Sequence, residues 1–596
     1  MKIRSVMKYL KITLALLAAL TLTLACGEEP DPEPIKLSAS PAELNFAAEG
    51  GTIELAINSG IKPTVSCSDS WISLHEVKYE FNKLLVVKVT ATANTGTTVR
   101  SSSIRVIGDK QSLMIPVSQD IAQVKLTVNP TTVAFDRYGG EATVTVTSSE
   151  QPTVSTSTAW CGVQAGSIGS NRETTVTIAA AANATTSSRS GSVTISCGKE
   201  SVTVNLTEEA YSVSTASTTA LTPEQVFNAM GPGWNMGNHM DAVSNGVSGE
   251  TIWGNAKCTQ ATFDNVKKAG FKAVRICTTW TGHIGEAPAY RLEDKWLERV
   301  AEIVGYAEKA GLVAIVNTHH DETYWLDISK AYNNNTQNEK VKDEIFCVWT
   351  QIARRFADKG EWLVFESFNE IQDGGWGWSA AFQANPDAQY KVLNEWNQVF
   401  VNAVRGAGGN NATRWLGIPG YAASPGFTIT GLVLPKDYTN ANRLMVAVHD
   451  YDPYNYTLNT PLVRQWGHTA DKDKRCSDYD EEGVVAVFDN LKKAYLDKNI
   501  PVYLGEMGCS RHADEDFAYQ QYYMEYFCKA AADRLLPMYL WDNGATGVGP
   551  EKHGYFDHGT GAFVDAKAEN LIGIMVKAVT TKDPAYTLDS VYDSAP

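Results

Sequence analysis

The chain lacks a basic face. Its 51 Lys and Arg stand against 67 Asp and Glu, and no basic stripe offsets the net charge of −16, which argues against a nucleic-acid partner. It also lacks the cysteine spacings of a disulfide framework. There is no CxxC pair and no short disulfide-type spacing, so Cys67, Cys161, Cys197, Cys258, Cys277, Cys347, Cys476, Cys509 and Cys528 read as mostly buried thiols, with a chance bridge left open. The one long apolar run, which ends Leu22-Thr23-Leu24-Ala25-Cys26, is too short for a comfortable membrane span. A hydrophobic content of 43% with 20% charge describes a soluble, globular protein. At 596 residues it exceeds one core, and two to four domains are expected. The 15 Trp and 25 Tyr suit a sugar-handling protein, because pyranose faces stack on aromatic rings, but cores use aromatics too.

Residues 1–25 open with Lys2, Arg4, Lys8 and Lys11 and continue into the apolar run, the pattern of an export signal. The segment resembles a bacterial lipoprotein signal, although Thr23 stands where Leu is usual. That resemblance implies cleavage before Cys26 and lipidation of its sulfur. Residues 26–34, acidic and Pro-rich, read as an extended tether. They are similar to the tract that sends Bacteroidetes lipoproteins to the outer face of the outer membrane. A surface-exposed lipoprotein, held to the outer membrane by its N-terminal lipid, is the expectation.

From about 35 to 210 Thr, Ser and Val alternate in patterns that predict strands. The stretch is a repeat. LSASPAELNFAAEGGTIEL from Leu37 aligns without a gap with LTVNPTTVAFDRYGGEATV from Leu126. Pro41/Pro130, Phe46/Phe135, Gly50/Gly139, Trp71/Trp160, Asn94/Asn183 and Arg100/Arg189 all keep an offset of 89. Size and strand spacing fit two immunoglobulin-like all-β sandwiches, 35–122 and 123–210. Both resemble the BACON domain, a module named for carbohydrate binding. Trp71 and Trp160 are then either binding platforms or, the reading preferred here, core tryptophans of a tandem spacer. Residues 211–220, rich in Ser and Thr, read as a linker.

After Leu221 strand and helix patterns alternate. Apolar strand candidates fall at 231–238, 272–279, 312–320, 362–370, 414–420, 444–451, 501–508 and 537–544, with helical periods between most of them. Eight βα units over 221–596 predict an α/β (β/α)8 TIM barrel following the two sandwiches. Such a barrel carries its chemistry at the C-terminal ends of its strands. That selects Asn238, Arg275, His319, His320, Asn369, Glu370, His449, Tyr451, Glu506 and Trp541. Two of these are acids that packing does not explain, since Glu is almost never fully buried unless paired. Glu370 closes WLVFESFNE and Glu506 closes PVYLGE, and two carboxylates at the tips of parallel strands are what glycosidic cleavage requires.

Strand 4 ending Asn-Glu, strand 7 ending Glu, Arg after strand 2 and His-x-Tyr after strand 6 resemble clan A retaining glycoside hydrolases, family 5 in particular. GWNMGNHMDA, ETIWGN, FNEIQD, VHDYDPY, RQWG and WDNG are similar to its subfamily 4, whose members are endo-β-1,4-glucanases, xyloglucanases and mixed-linkage glucanases. His239-Met240 departs from the common Thr-Leu, and Asp450 from a frequent Tyr. The resemblance assigns acid/base to Glu370 and nucleophile to Glu506. Asn369 would hold the sugar 2-hydroxyl, while His449 and His319 would orient the acid/base and the −1 sugar. Trp541 would be a flat face for that sugar, with a cis peptide following it. Arg275 is suited to keep Glu506 ionised and Tyr451 to hydrogen-bond it. Asn238 and His320 complete the substrate-binding set.

Metal catalysis is set aside, because adjacent His319 and His320 on a strand would face opposite ways and no third ligand sits at helix spacing. No cofactor is expected. Of Trp253, Trp280, Trp376, Trp378 and Trp466, two or three are expected to line a sugar cleft. The leading expectation is a monomeric, retaining endo-β-1,4-glucanase whose partner is a plant β-glucan, xyloglucan first. Mixed-linkage glucanase or cellulase, β-mannanase and a non-catalytic glycan-binding protein are the alternatives.

Overall fold

The computed structural model describes residues 35–596 apart from 82, 123, 217, 460–462, 478 and 479. The signal segment, Cys26 and the tether lie outside the described residues. No helix among the described residues is long and apolar enough to cross a membrane. The chain divides into two compact units, one ending at Val124 and the other running from Lys125 to Pro596.

The first unit contains a sandwich of two four-stranded sheets, centred on Gly51–Asn58 with Leu84–Ala91 and on Arg100–Gly108 with Gln111–Gln119. Alternate residues turn inward, so Leu55, Ile57, Val87, Val89, Ile104, Val106, Ile115 and Val117 form its core. The second sandwich repeats this layout around Gly140–Thr147 with Glu173–Ala180 and Arg189–Cys197 with Glu200–Glu208. The repeated residues do the same work in both copies. Gly50 and Gly139 have φ of 80° and 68°, and a Cβ there would come within 2.2 and 2.4 Å of Ala91 O and Ala180 O. Trp71 and Trp160 pack against their cores beneath the guanidinium groups of Arg100 and Arg189, each 4.8 Å from the ring. A capped, half-buried indole is a core element, not an open sugar platform.

The second copy also joins the barrel. Tyr211 Oη donates to Asn402 O (3.0 Å), and Tyr138 lies 4.0 Å from the Arg354 guanidinium. Arg291 pairs with Glu141. The first copy has Ala122, Glu49 and Thr52 at the positions of Tyr211, Tyr138 and Glu141. The described residues of the expected linker are tied to the barrel, with Ala216 N donating to Thr439 O at 2.8 Å and Thr218 Oγ1 to Ala441 O at 2.5 Å.

The barrel closes with eight parallel strands in chain order. These are β1 (Gly233–Met236), β2 (Ala273–Ile276), β3 (Val313–Val316), β4 (Leu363–Glu366), β5 (Leu416–Pro419), β6 (Leu444–His449), β7 (Val502–Met507) and β8 (Met538–Asp542). Nearly every strand residue is buried, as expected of strands covered on both faces. Ala273, Ile315, Val364, Met445, Ala447, Tyr503 and Tyr539 fill the interior with Val226 and Met230 of the helix Pro223–Met230. Thr222 and Gln225 close that helix's N-terminus as a capping box. One irregularity positions the site. Between β7 and β8 the register passes from Leu504↔Met538 to Met507↔Leu540, one extra residue on β7. The bulge falls beside Glu506, and the pairing with β6 shows the same extra residue on β7, between Val448↔Leu504 and His449↔Glu506. Bulges re-aim side chains, and this one lies where Glu506 leaves the strand.

Candidate active site

Every strand-end residue selected from the sequence, except Asn238, joins one constellation at the C-terminal mouth of the barrel. One carboxylate oxygen each of Glu370 and Glu506, with Nδ1 of His449, all lie within 4.8 Å of one another. Glu370 stands four residues beyond β4, in the turn that follows it, and Glu506 stands on β7 itself. Their surroundings differ. Arg275 Nη1 donates to Glu506 Oε1 at 2.7 Å and Tyr451 Oη donates to Oε2 at 3.0 Å. Glu370 Oε1 lies 2.7 Å from His449 Nδ1. Burial pushes His449 down to about 4, so this imidazole is neutral near neutral pH.

Burial, then the charge of Glu322, pushes the Glu370 carboxyl up to about 7. Burial raises Glu506 as well, and Arg275 opposes this without taking the carboxyl below its ordinary range, because desolvation is the larger effect. The guanidinium is also shared. Its Nε donates to both oxygens of Glu366 at 3.1 and 3.2 Å, and its Nη2 to Glu366 Oε1 at 2.7 Å. Nη2 also donates to Asn369 Oδ1 at 2.7 Å.

His319 is buried and lies parallel to Trp541, with centroids 5.9 Å apart and planes 3° apart. Its Nδ1 is 3.2 Å from Asn317 Nδ2 and its Nε2 is 3.9 Å from Glu506 Oε1. Trp541 lies so close over Gly237 that a Cβ there would approach the ring to 2.5 Å. The five cis peptides among the described residues all precede proline, so the bond after Trp541 is trans, contrary to expectation. Trp253, Trp376 and Trp378 are exposed and Trp280 and Trp466 are buried. Trp253 sits 5.6 Å from the His320 ring, at the rim of the site.

Two expectations need correction. Asn238 occupies a left-handed turn (φ 52°), its N–H donating to Asp241 and its carbonyl accepting from Asn255. The residue of this segment that reaches the carboxylate network is Asn235, whose Oδ1 accepts from Arg275 Nη1 at 3.1 Å. His319 and His320 do not face opposite ways, because β3 ends at Val316 and strand alternation no longer applies. Their Nε2 atoms converge on Asp241 Oδ2 at 4.0 and 3.7 Å. This trio could offer metal donors, as could Cys277 with His319 and Glu506, or His239 with Glu250 and Cys258. However, Glu322, Asp241 and Glu370 raise His320 to about 9 despite its burial, and an imidazolium repels a metal ion. Arg299 already occupies Glu250 through a 2.6 Å bond, and Arg275 and Tyr451 occupy Glu506.

Glu366, Asn235, Asn317, Asp241 and Tyr503 were missed. All but Asp241 lie on or just past a strand, so a search restricted to the last residue of each run passes over them. The available signal was a polar residue inside an apolar run, as in LVFE.

A (β/α)8 barrel whose mouth holds two unlike carboxyls this close together defines the class of barrel glycoside hydrolases. Comparison with known proteins specifies it. The glycosyl hydrolase family 5 cellulase profile matches residues 236–547, and the BACON profile matches 62–120 and 146–207. The chain belongs to glycoside hydrolase family 5. It is 34% identical over 321 residues to Endoglucanase A of Paenibacillus barcinonensis, covering 52% of this chain and 78% of that protein. Among solved structures, a broad-specificity GH5-4 endoglucanase from Bacteroides salanitronis is 49% identical with a TM-score of 0.59, covering 62% of this chain and 97% of the other. A GH5 xyloglucanase from Bacteroides ovatus, solved with a XXXG heptasaccharide, is 28% identical with a TM-score of 0.55, covering 77% and 100%.

Proposed function

We propose that this glycoside hydrolase is a retaining endo-β-1,4-glucanase, with Glu506 as nucleophile and Glu370 as acid/base. The observation that carries the reading is the proximity of the two carboxyls, within 4.8 Å, in unlike environments. Retaining enzymes need carboxyl groups about 5–5.5 Å apart, whereas inverting ones leave about 6.5–9.5 Å for a water. Glu506, bonded by Arg275 and Tyr451, attacks the anomeric carbon. Glu370, held near 7 by burial and Glu322, carries the proton to the departing oxygen. Deglycosylation then reverses its role: Glu370 takes a proton from water as the glycosyl ester on Glu506 is cleaved. Asn369, fixed by Arg275, is placed to hold the sugar 2-hydroxyl, and Trp541 with His319 forms a wall for the −1 ring.

Xyloglucan is the first substrate in this reading, supported by the Bacteroides ovatus relative and the exposed aromatic rim. A broader range across mixed-linkage glucan and cellulose is the second reading, favoured by the higher identity to a broad-specificity enzyme, 49% against 28%. An N-terminal lipid on Cys26 would place the enzyme at the outer-membrane surface. A hydrolysis panel of xyloglucan, barley glucan, carboxymethyl cellulose, glucomannan and xylan tests the proposal. Release of reducing ends from the β-1,4-glucans by the wild type, lost in Glu506→Gln, is the expected result. Cleavage confined to xylan or mannan would refute the substrate class. A chain inert on every substrate would favour the glycan-binding alternative.

A further inference from the structure

We propose that Glu366 is a positioning residue of the reaction, balancing the charge of Arg275 and fixing the guanidinium so that it serves Glu506 and Asn369 together. The inference rests on the glucanase reading above. Glu366 is completely buried inside the barrel and touches no open space, so it acts only through its partners. Those partners reach three functional groups. Arg275 spends Nε and half of Nη2 on Glu366, which leaves the other half of Nη2 for Asn369 Oδ1. Nη1 is then directed to Glu506 Oε1 and Asn235 Oδ1. Asn317 Nδ2 donates to Glu366 Oε1 at 3.0 Å and meets His319 Nδ1 at 3.2 Å, which ties the imidazole beside Trp541 to the same carboxylate. Tyr503 Oη completes the shell with a 2.6 Å bond to Oε2.

Glu366 also matters through its charge. A lone buried guanidinium beside Glu506 would stabilise the carboxylate strongly and weaken it as a nucleophile. Burial raises Glu366, but Arg275, with a hydrogen bond from Tyr503, outweighs that and keeps it below the ordinary range, hence ionised. The Arg275–Glu366 pair is thus close to neutral as a unit. The groups facing Glu506 are Arg275, His449, His319, Cys277, Tyr451 and Glu370. Those facing Glu370 are Glu506, Glu322, His320, His449, Tyr451 and Glu551, with Arg275 and Glu366 beneath. Among these, loss of the Glu366 charge exposes both carboxyls to an uncompensated cation.

The test compares full-length wild type, Glu366→Gln and Tyr503→Phe on a soluble β-glucan, recording kcat, KM, melting temperature and the pH–rate profile. Glu366→Gln keeps the shape and removes the charge. It should lower kcat about 10²-fold with KM changed less than about twofold, a misplaced site being costly to turnover. Both limbs of the profile should move to lower pH by about one unit, because an unbalanced cation favours both ionised carboxyls. Tyr503→Phe keeps the charge and removes one hydrogen bond, so kcat should fall about threefold to tenfold with the limbs in place. A folded Glu366→Gln with wild-type limbs and a kcat within threefold overturns the proposal. If Glu366→Gln cannot be recovered folded, Tyr503→Phe decides: a lowered kcat at constant KM supports the role and a wild-type kcat overturns it. A wild type inactive on every β-glucan would sink the functional reading and this inference together, whereas an active wild type with an indifferent Glu366→Gln sinks this inference alone.

Discussion

The turn after β4 and the end of β7 each present a buried glutamate, and the two carboxyls differ in almost everything else. Glu506 is met by a guanidinium at 2.7 Å and a phenol at 3.0 Å, both donors that favour a charged acceptor. Glu370 meets a neutral imidazole, and burial, then the field of Glu322, keeps its proton on to about 7. One residue type is therefore suited to two jobs because the neighbours differ. The strand geometry arranges this. A β-bulge lies beside Glu506, which meets the shared cation, whereas Glu370 stands beyond β4 in the field of Glu322.

That contrast can be broken in stages. Removing the proposed nucleophile is expected to cost most: Glu506→Gln should lower turnover on any β-glucan on the order of 10⁴-fold, read by reducing-sugar release. Glu370→Ala should lose about 10³-fold on polymer. It should lose far less on a 2,4-dinitrophenyl β-cellobioside, whose leaving group needs no acid, and equal losses on both substrates would contradict the assigned role. Tyr451→Phe removes one charge-assisted hydrogen bond to Glu506 and should cost about tenfold to 10²-fold in kcat. The smallest effect sharpens the electrostatics. The proposed mechanism needs Glu370 protonated, so activity should fall as pH rises through about 7. Glu322→Gln removes the charge that helps raise this carboxyl, so the alkaline limb should move to lower pH by about half a unit. A limb that moved upward would reverse the sign of the account.

Much of this was legible in the residues. Eight apolar runs with helical periods between them give the barrel, because a parallel strand buried on both faces has few alternatives to Val, Ile, Leu and aromatics. The 89-residue repeat gives two sandwiches with matched Gly, Trp and Arg roles. The acid pair stood out because Glu370 and Glu506 end apolar runs without a packing reason. What stayed hidden depends on strand limits and direction. Asn235 rather than Asn238 meets Arg275 because β1 ends at Met236, and His319 and His320 converge because β3 ends at Val316. Glu366 stayed hidden because its partner Arg275 is 91 residues away, and closure of the barrel is what brings this arginine to two carboxylates.

The stereochemistry of the first product tests the central claim most directly. Proton NMR of a cello-oligosaccharide digest, recorded before mutarotation, reports which anomer leaves the enzyme. Two displacements at one carbon, with Glu506 and then water as the attacking groups, predict that the β anomer appears first and the α anomer grows in later. An α anomer released first would mean a single displacement, and the division of labour between Glu370 and Glu506 would be wrong.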